Sequence, residues 1–135
     1  MTTTEFEKYL KSIGGLENGF YTDRPVIVSR HFCNVRDGWL QLIHDCIAEL
    51  LEANWNKHIL QIKEKFGGLR FYIGSGSEEI FNIIIKYEEL SWTTCEVCGE
   101  QGILRNDCGW QGNKWYKTLC DTHYQDLIIE RRQDI

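Results

Sequence analysis

Apolar positions along the chain switch between helical and strand spacing, and each switch marks an element. Phe6, Tyr9, Leu10 and Ile13 follow Thr4, and Glu7 completes a capping box with it. This predicts a short helix over Thr4 to Ile13, stopped by Gly14-Gly15. The next stretch has no helical period; Val26-Ile27-Val28 is a candidate strand, with Pro25 favouring an edge. Then Trp39, Leu42, Ile43, Cys46, Ile47, Leu50 and Leu51 share one helical face, opposite Gln41, His44, Asp45, Glu49 and Glu52. Asp37 is the expected cap, and the helix should end near Asn54 to Asn56. A third helix starts at Ser77, with Glu78 and Glu79 where the helix dipole favours acids. Ile80, Phe81, Ile83, Ile84, Ile85, Tyr87 and Leu90 give it a wide apolar face. Such a face expects contact on more than one side, linking the core to the cysteine-rich last third of the chain.

Between the second and third helices the period falls to two. "IKEKFGGLRFY" (Ile62 to Tyr72) reads as a hairpin turning at Gly67-Gly68, since glycine suits the positive dihedrals of hairpin turns. That turn pairs Lys65 with Arg70, Glu64 with Phe71, Lys63 with Tyr72 and Ile62 with Ile73. Ile62, Glu64, Phe66, Leu69, Phe71 and Ile73 then share a core-like face, and Lys63, Lys65, Arg70 and Tyr72 share the other. The cationic face has two readings. It binds an anion, with Tyr72 as a stacking surface, or it is a solvated face neutralised by Glu78, Glu79, Glu88 or Glu89. Glu64 on the apolar face needs a partner, for which Arg36 or Arg30 are candidates.

Composition narrows the class. The chain has 135 residues, 42% hydrophobic and 26% charged, enough for one compact domain or a core with a small metal-stapled module. A formal charge of -5 argues against broad, nonspecific coating of nucleic acid. No apolar run approaches a membrane span, and "MTTTEFEKYL" lacks the apolar region of a signal peptide, so a cytoplasmic location is expected. Six cysteines in such a chain point to metal more than to disulfides, because Cys95, Cys98, Cys108 and Cys120 crowd the last third. Cys33 and Cys46 stand alone and read as buried small apolar residues. His31, His44 and His58 match no metal spacing.

The chemistry-bearing motif is "CEVCG" (Cys95 to Gly99) followed by "LCDTH" (Leu119 to His123). Cys95, Cys98, Cys120 and His123 supply the four soft or borderline donors that tetrahedral Zn2+ prefers. Gly99 allows a tight knuckle turn, and "YQDLIIERR" places the second pair at a helix start. Asp121 reads as a cap. All four positions are filled by protein, which predicts structural zinc with no site for a reacting water, and no enzyme. A rival set swaps His123 for Cys108. Ile103-Leu104-Arg105 should pair with Trp115 to Leu119. Trp110 and Trp115 are either core or exposed contact residues, with core preferred, and Arg105, Lys114 and Lys117 give a modest basic edge.

Knuckle, hairpin and ligand-bearing helix together resemble a treble-clef zinc module. The expected fold class is therefore α+β: an antiparallel hairpin or small sheet packed by helices over 1–91, and a treble clef over 92–135. "KEKFGGLRFY", "CEVCG" and "LCDTH" also resemble a group of small uncharacterised proteins of bacteria and bacteriophages, over roughly Asp37 to Tyr124. That resemblance implies a setting, a phage or mobile-element accessory factor in a bacterial cytoplasm, and no activity. The expected function is a small zinc-stabilised binding protein with a host or phage protein as partner. The alternative is a nucleotide or nucleic-acid binder, such as a sponge for a signalling nucleotide, acting through Lys63, Lys65, Arg70 and Tyr72. A treble-clef nuclease needs a histidine in the hairpin, and Ile103 to Leu119 contains none.

Overall fold

Thr2, not Thr4, starts the first helix. In the computed structural model, which describes residues 1–13 and 33–132, α1 spans Thr3–Ser12. Thr2 Oγ1 accepts from Glu5 N at 3.1 Å, and Glu5 Oε1 accepts from Thr2 N at 3.2 Å. Both threonines head the same Thr-x-x-Glu pattern, and the earlier one keeps more backbone inside the helix. The candidate strand at Val26-Ile27-Val28, its Pro25, the Gly14-Gly15 stop, Arg30, His31 and the side chain of Cys33 lie outside the described residues.

A 3-10 turn at Asp37–Trp39 leads into α2, Leu40–Glu52. Asp37 does not cap it; its carboxylate accepts from Thr3 Oγ1 at 3.3 Å and so ties the turn to α1. The helix stops earlier than expected, at Glu52, and Asn54 takes a left-handed φ of 61°. Leu42, Ile43, Cys46, Ile47 and Leu50 are buried as their spacing predicts.

Strand β1 (Cys33–Asn34) runs parallel to β2 (Gln61–Lys65), which is antiparallel to β3 (Gly68–Tyr72). The β2–β3 register corrects the expected one: Lys63 faces Arg70, Glu64 faces Leu69 and Lys65 faces Gly68. The turn is Phe66-Gly67, with φ of 54° and 83°, both left-handed as a two-residue hairpin loop of this kind requires. Gly68 is withheld from the turn because Trp92 lies on it; a Cβ there would stand 2.5 Å from the indole. The shift is by two residues, an even number, so the two faces keep their members. Phe66 is the exception: it leaves the core face and is 62% exposed.

Helix α3 (Glu78–Ser91) is capped by Ser77, whose Oγ accepts from Ile80 N at 3.2 Å. It packs on β3 and α2, burying Ile80, Ile84 and Tyr87. The rest of its wide apolar face is not covered among the described residues: Phe81, Ile85 and Leu90 stay exposed. Lys86 and Tyr87 both donate to Glu49 of α2, at 2.6 and 2.5 Å. No helix is long and apolar enough to cross a membrane among the described residues.

After α3 come β4 (Ile103–Arg105), a turn at Trp110–Gly112, β5 (Lys117–Leu119) and α4 (Asp121–Arg132). Ile103 pairs with Leu119 and Arg105 with Lys117, as the sequence predicts. The fold is α+β, with the cysteine-rich segment at its C-terminal end.

Candidate metal centre

The knuckle forms first. Thr94 bridges to Gln101, Cys95 N donates to Glu100 O at 2.7 Å and Gly99 N donates to Cys95 O at 2.9 Å. This turn needs the left-handed φ of 83° that Gly99 supplies. It sets Cys95 and Cys98 on one side. Cys120 lies between β5 and α4 and His123 in the first turn of α4, on the other. Tyr124 N donates to Cys120 O at 2.9 Å, so Cys120 is held as the helix begins.

The four donor atoms, from Cys95, Cys98, Cys120 and His123, all lie within 4.8 Å of one another. A tetrahedral ion with bonds of about 2.3 Å to sulfur and about 2.05 Å to nitrogen sets sulfurs about 3.8 Å apart, and sulfur and nitrogen about 3.6 Å apart. Cys98 Sγ to Cys120 Sγ is 3.8 Å and Cys95 Sγ to His123 Nδ1 is 3.7 Å. Cys120 Sγ to His123 Nδ1 is shorter, at 3.1 Å, and would open by about half an ångström around such an ion. The group could therefore hold a metal ion such as zinc.

The electrostatics fit the same occupant. Burial opposes ionisation of Cys95, but backbone N–H groups of Cys120, Cys98 and Val97 aim at its sulfur and bring it down to about 7. Cys98 is pushed up to about 11, by desolvation and by the facing sulfurs of Cys95 and Cys120. Thiols so crowded resist joint ionisation unless a cation sits among them, and a coordinating cation deprotonates them outright. Three thiolates around a divalent ion leave a net charge of about -1.

Cys108, the rival ligand, is buried beside Cys95 and Leu119 but is not among the four donors that converge, a place His123 takes. Asp121 opens α4 and accepts from Arg105 Nη2 at 2.8 Å.

The knuckle sits directly on the first region. Gly38 N donates to Glu96 O at 2.9 Å, and Trp39 Nε1 donates to Thr94 O at 2.9 Å. A Cβ on Gly38 would stand 2.2 Å from Cys95 O, so only glycine permits this approach. Thr118 Oγ1 donates to Gly67 O at 2.7 Å, which ties the β2–β3 turn to β5. Glu96 is buried, and burial raises its carboxyl while Lys117, 2.9 Å away, works against the rise.

The hairpin residues singled out in the sequence are all on one face, but no acid neutralises them by an ion pair among the described residues. Lys63 Nζ is 6.0 Å from the Tyr72 ring centroid, and Arg70 donates to Leu69 O at 3.3 Å. Glu88 instead accepts from Phe71 N at 3.0 Å. Glu64 finds its partner in the turn, accepting from Gly67 N at 2.7 Å, and forms no ion pair with Arg36. His44 packs against Tyr9, ring centroids 4.0 Å apart.

Sequence reasoning missed a second feature. Phe66, Trp92, Leu104, Lys114, Trp115 and Tyr116 line a cleft with Lys65 and Glu64. Trp115 and Trp110 are 57% and 45% exposed, so neither belongs to a core. Local pattern could not reveal the cleft, because its two walls come from segments far apart in the chain.

No protein-family model matches this chain, nor does any curated protein or solved structure.

Proposed function

We propose that the chain is a zinc-stabilised binding protein and not an enzyme. The observation that carries this reading is the closed donor set of Cys95, Cys98, Cys120 and His123. Four protein donors satisfy tetrahedral zinc and leave no position for a substrate or reacting water, which is the pattern of structural sites. Knuckle, β4–β5 hairpin and α4 follow the order of a treble clef, a module that serves many unrelated functions. In this reading zinc locks β4, β5 and α4 into a platform against the β2–β3 turn. The protein is a phage or mobile-element accessory factor in a bacterial cytoplasm, and its partner is a host or phage protein.

The test has two steps. Elemental analysis of purified protein should give one zinc per chain. Affinity capture from a bacterial lysate should then recover a saturable partner with the zinc-loaded chain and lose it with a Cys98→Ser, Cys120→Ser variant. Absence of stoichiometric zinc, or capture indifferent to the variant, would sink the proposal.

A second reading has an observation in its favour: Lys63, Lys65 and Arg70 lie together with no acid paired to them among the described residues. Here the partner is a nucleotide or nucleic acid, because phosphate supplies the missing anion.

A further inference from the structure

Where the β2–β3 turn meets β4 and β5, the fold leaves a cleft of about 860 Å3. Such a volume suits a small-molecule ligand. Phe66, Trp92, Trp115 and Tyr116 line it with Lys65 and Lys114; Glu64 lines it too, its carboxylate accepting from Gly67 N at 2.7 Å. Lys65 Nζ is 5.8 Å from the Phe66 centroid, and Lys114 Nζ is 5.5 Å from that of Tyr116. Neither ammonium forms a salt bridge among the described residues. Aromatic walls and free cations are thus combined in one place.

Two local choices shape the cleft. Phe66 occupies a left-handed turn position, φ 54°, where asparagine or glycine is preferred, and then leaves its ring 62% exposed. Its ring meets that of Tyr116 edge-on, centroids 6.3 Å apart, and both rings line the cleft. Gly68, in turn, has no side chain to keep Trp92 off the strand, and a Cβ there would stand 2.5 Å from the ring. Gly68 pairs with Lys65, so Trp92 lies on the face that carries Lys63, Lys65, Arg70 and Tyr72. The cationic face and the aromatic cleft are therefore continuous.

We propose that this cleft binds a nucleotide unit, its base stacked on the aromatic walls and its phosphate held by Lys65 and Lys114. The unit is either a free nucleotide or part of a single strand, whose further phosphates would run along Lys63 and Arg70. A base has a face for the rings and a phosphate for the ammonium groups. An apolar peptide would strand the lysines, and an acidic one would leave the rings unused. The proposal deepens the second reading above and rests on it.

The experiment uses the zinc-loaded full chain. Its probes are labelled single-stranded DNA and RNA of about twelve nucleotides, a panel of mononucleotides, and inorganic phosphate. Anisotropy and tryptophan quenching report binding. Saturable binding of a strand alone assigns the site to single strands; saturable binding of a mononucleotide assigns it to free nucleotides. Either must weaken at least about fivefold in Trp115→Ala, the low end for losing one stacked base. In the strand arm, the Lys65→Ala, Lys114→Ala double variant should flatten the salt slope by about 0.7, the share of the one phosphate the two lysines hold. Phe66→Asn should lose binding without lowering Tm, which separates a ligand role from a structural one. The proposal is overturned by no saturable binding at low salt, by binding that these variants leave unchanged, or by inorganic phosphate matching the nucleotides. It is also overturned by self-association that Trp115→Ala abolishes, which would seat a second copy in the cleft. Saturable binding that the cleft variants leave unchanged overturns this inference alone and leaves the second reading standing; if every probe fails, the second reading falls with it, and lysate capture of a saturable protein partner would then leave only the first.

Discussion

The two ends of this molecule are held by different physics. In the first, Trp39, Ile43, Ile47, Leu50, Ile62 and Leu69 are wholly buried around α2 and the β2–β3 hairpin. Each large apolar side chain so buried contributes roughly 1.5–3 kcal/mol. From Cys95 onward the buried hydrophobics are Cys95, Cys108 and Leu119, and α4 buries no residue fully among those described. A segment with so small an apolar cluster needs another source of stability, and the four converging donors offer one. The seam between the ends carries hydrogen bonds from Gly38 to Glu96, Trp39 to Thr94 and Thr118 to Gly67, beside the ring contact of Phe66 with Tyr116. Apolar burial fixes the first region, while the second has a few hydrogen bonds to the first and four converging donors that could hold a metal ion.

Loss of the proposed zinc should break that comparison most visibly. Structural zinc is worth an apparent 10–16 kcal/mol, roughly, at pH 7. A chelator, or Cys98→Ser with Cys120→Ser, should collapse the amide dispersion of Cys95 to Arg132 in NMR spectra while α2, β2 and β3 keep theirs. If both regions melt together, the division is wrong.

Next in size is the seam. Lys117 is paired with the buried Glu96, and Lys117→Ala leaves that carboxylate without its cation. Breaking such a pair costs about 3–5 kcal/mol, and Glu96→Gln with Lys117→Met should recover most of it. Urea unfolding of the two variants measures the difference. Equal stability of the single and double variants would show that the seam carries little.

In the core, Ile47→Ala should cost about 2–5 kcal/mol, because Ile47 is wholly buried and its loss leaves a cavity. Zinc stoichiometry should stay at one in native conditions. Loss of zinc from this variant while it is still folded would mean that the core and the metal site are not separable.

The smallest effect is at Glu49. The hydrogen bond from Lys86, then that from Tyr87, hold its carboxyl below the usual value. The folded state thus binds this proton less readily than the unfolded state. Its contribution is complete above the unfolded value of about 4.3 and is lost as pH falls through the folded one. The carboxylate is 35% exposed, and solvent screening keeps the pair below about 1 kcal/mol. Glu49→Gln should therefore lower stability slightly at neutral pH and make no difference in acid. A gap that widens as pH falls would contradict the sign.

Much of this was legible in order along the chain. The period of α2 separates its buried from its exposed residues, Ser77 caps α3, and the Cys-x2-Cys and Cys-x2-His pairs converge. The β4–β5 pairing follows from the strand pattern around the glycine-rich turn. What was not legible were choices between equal local options. Thr2 and Thr4 head identical capping patterns, and "FGG" offers a turn at Phe66-Gly67 or at Gly67-Gly68. The rings of Trp110 and Trp115 look the same in sequence whether they face a core or water.

The sequence by itself determined the two ligand pairs, the helices to within a few residues and which hairpin residues other than Phe66 share a face, because each depends on spacing within a few residues. Only the tertiary structure decided where the hairpin turns, that Phe66 stands in water, and that a cleft opens beside it. Those outcomes hang on Trp92 lying on Gly68 and on Thr118 reaching Gly67 O. Local alternatives differ by about a kilocalorie or less, so a contact between distant residues is enough to choose among them.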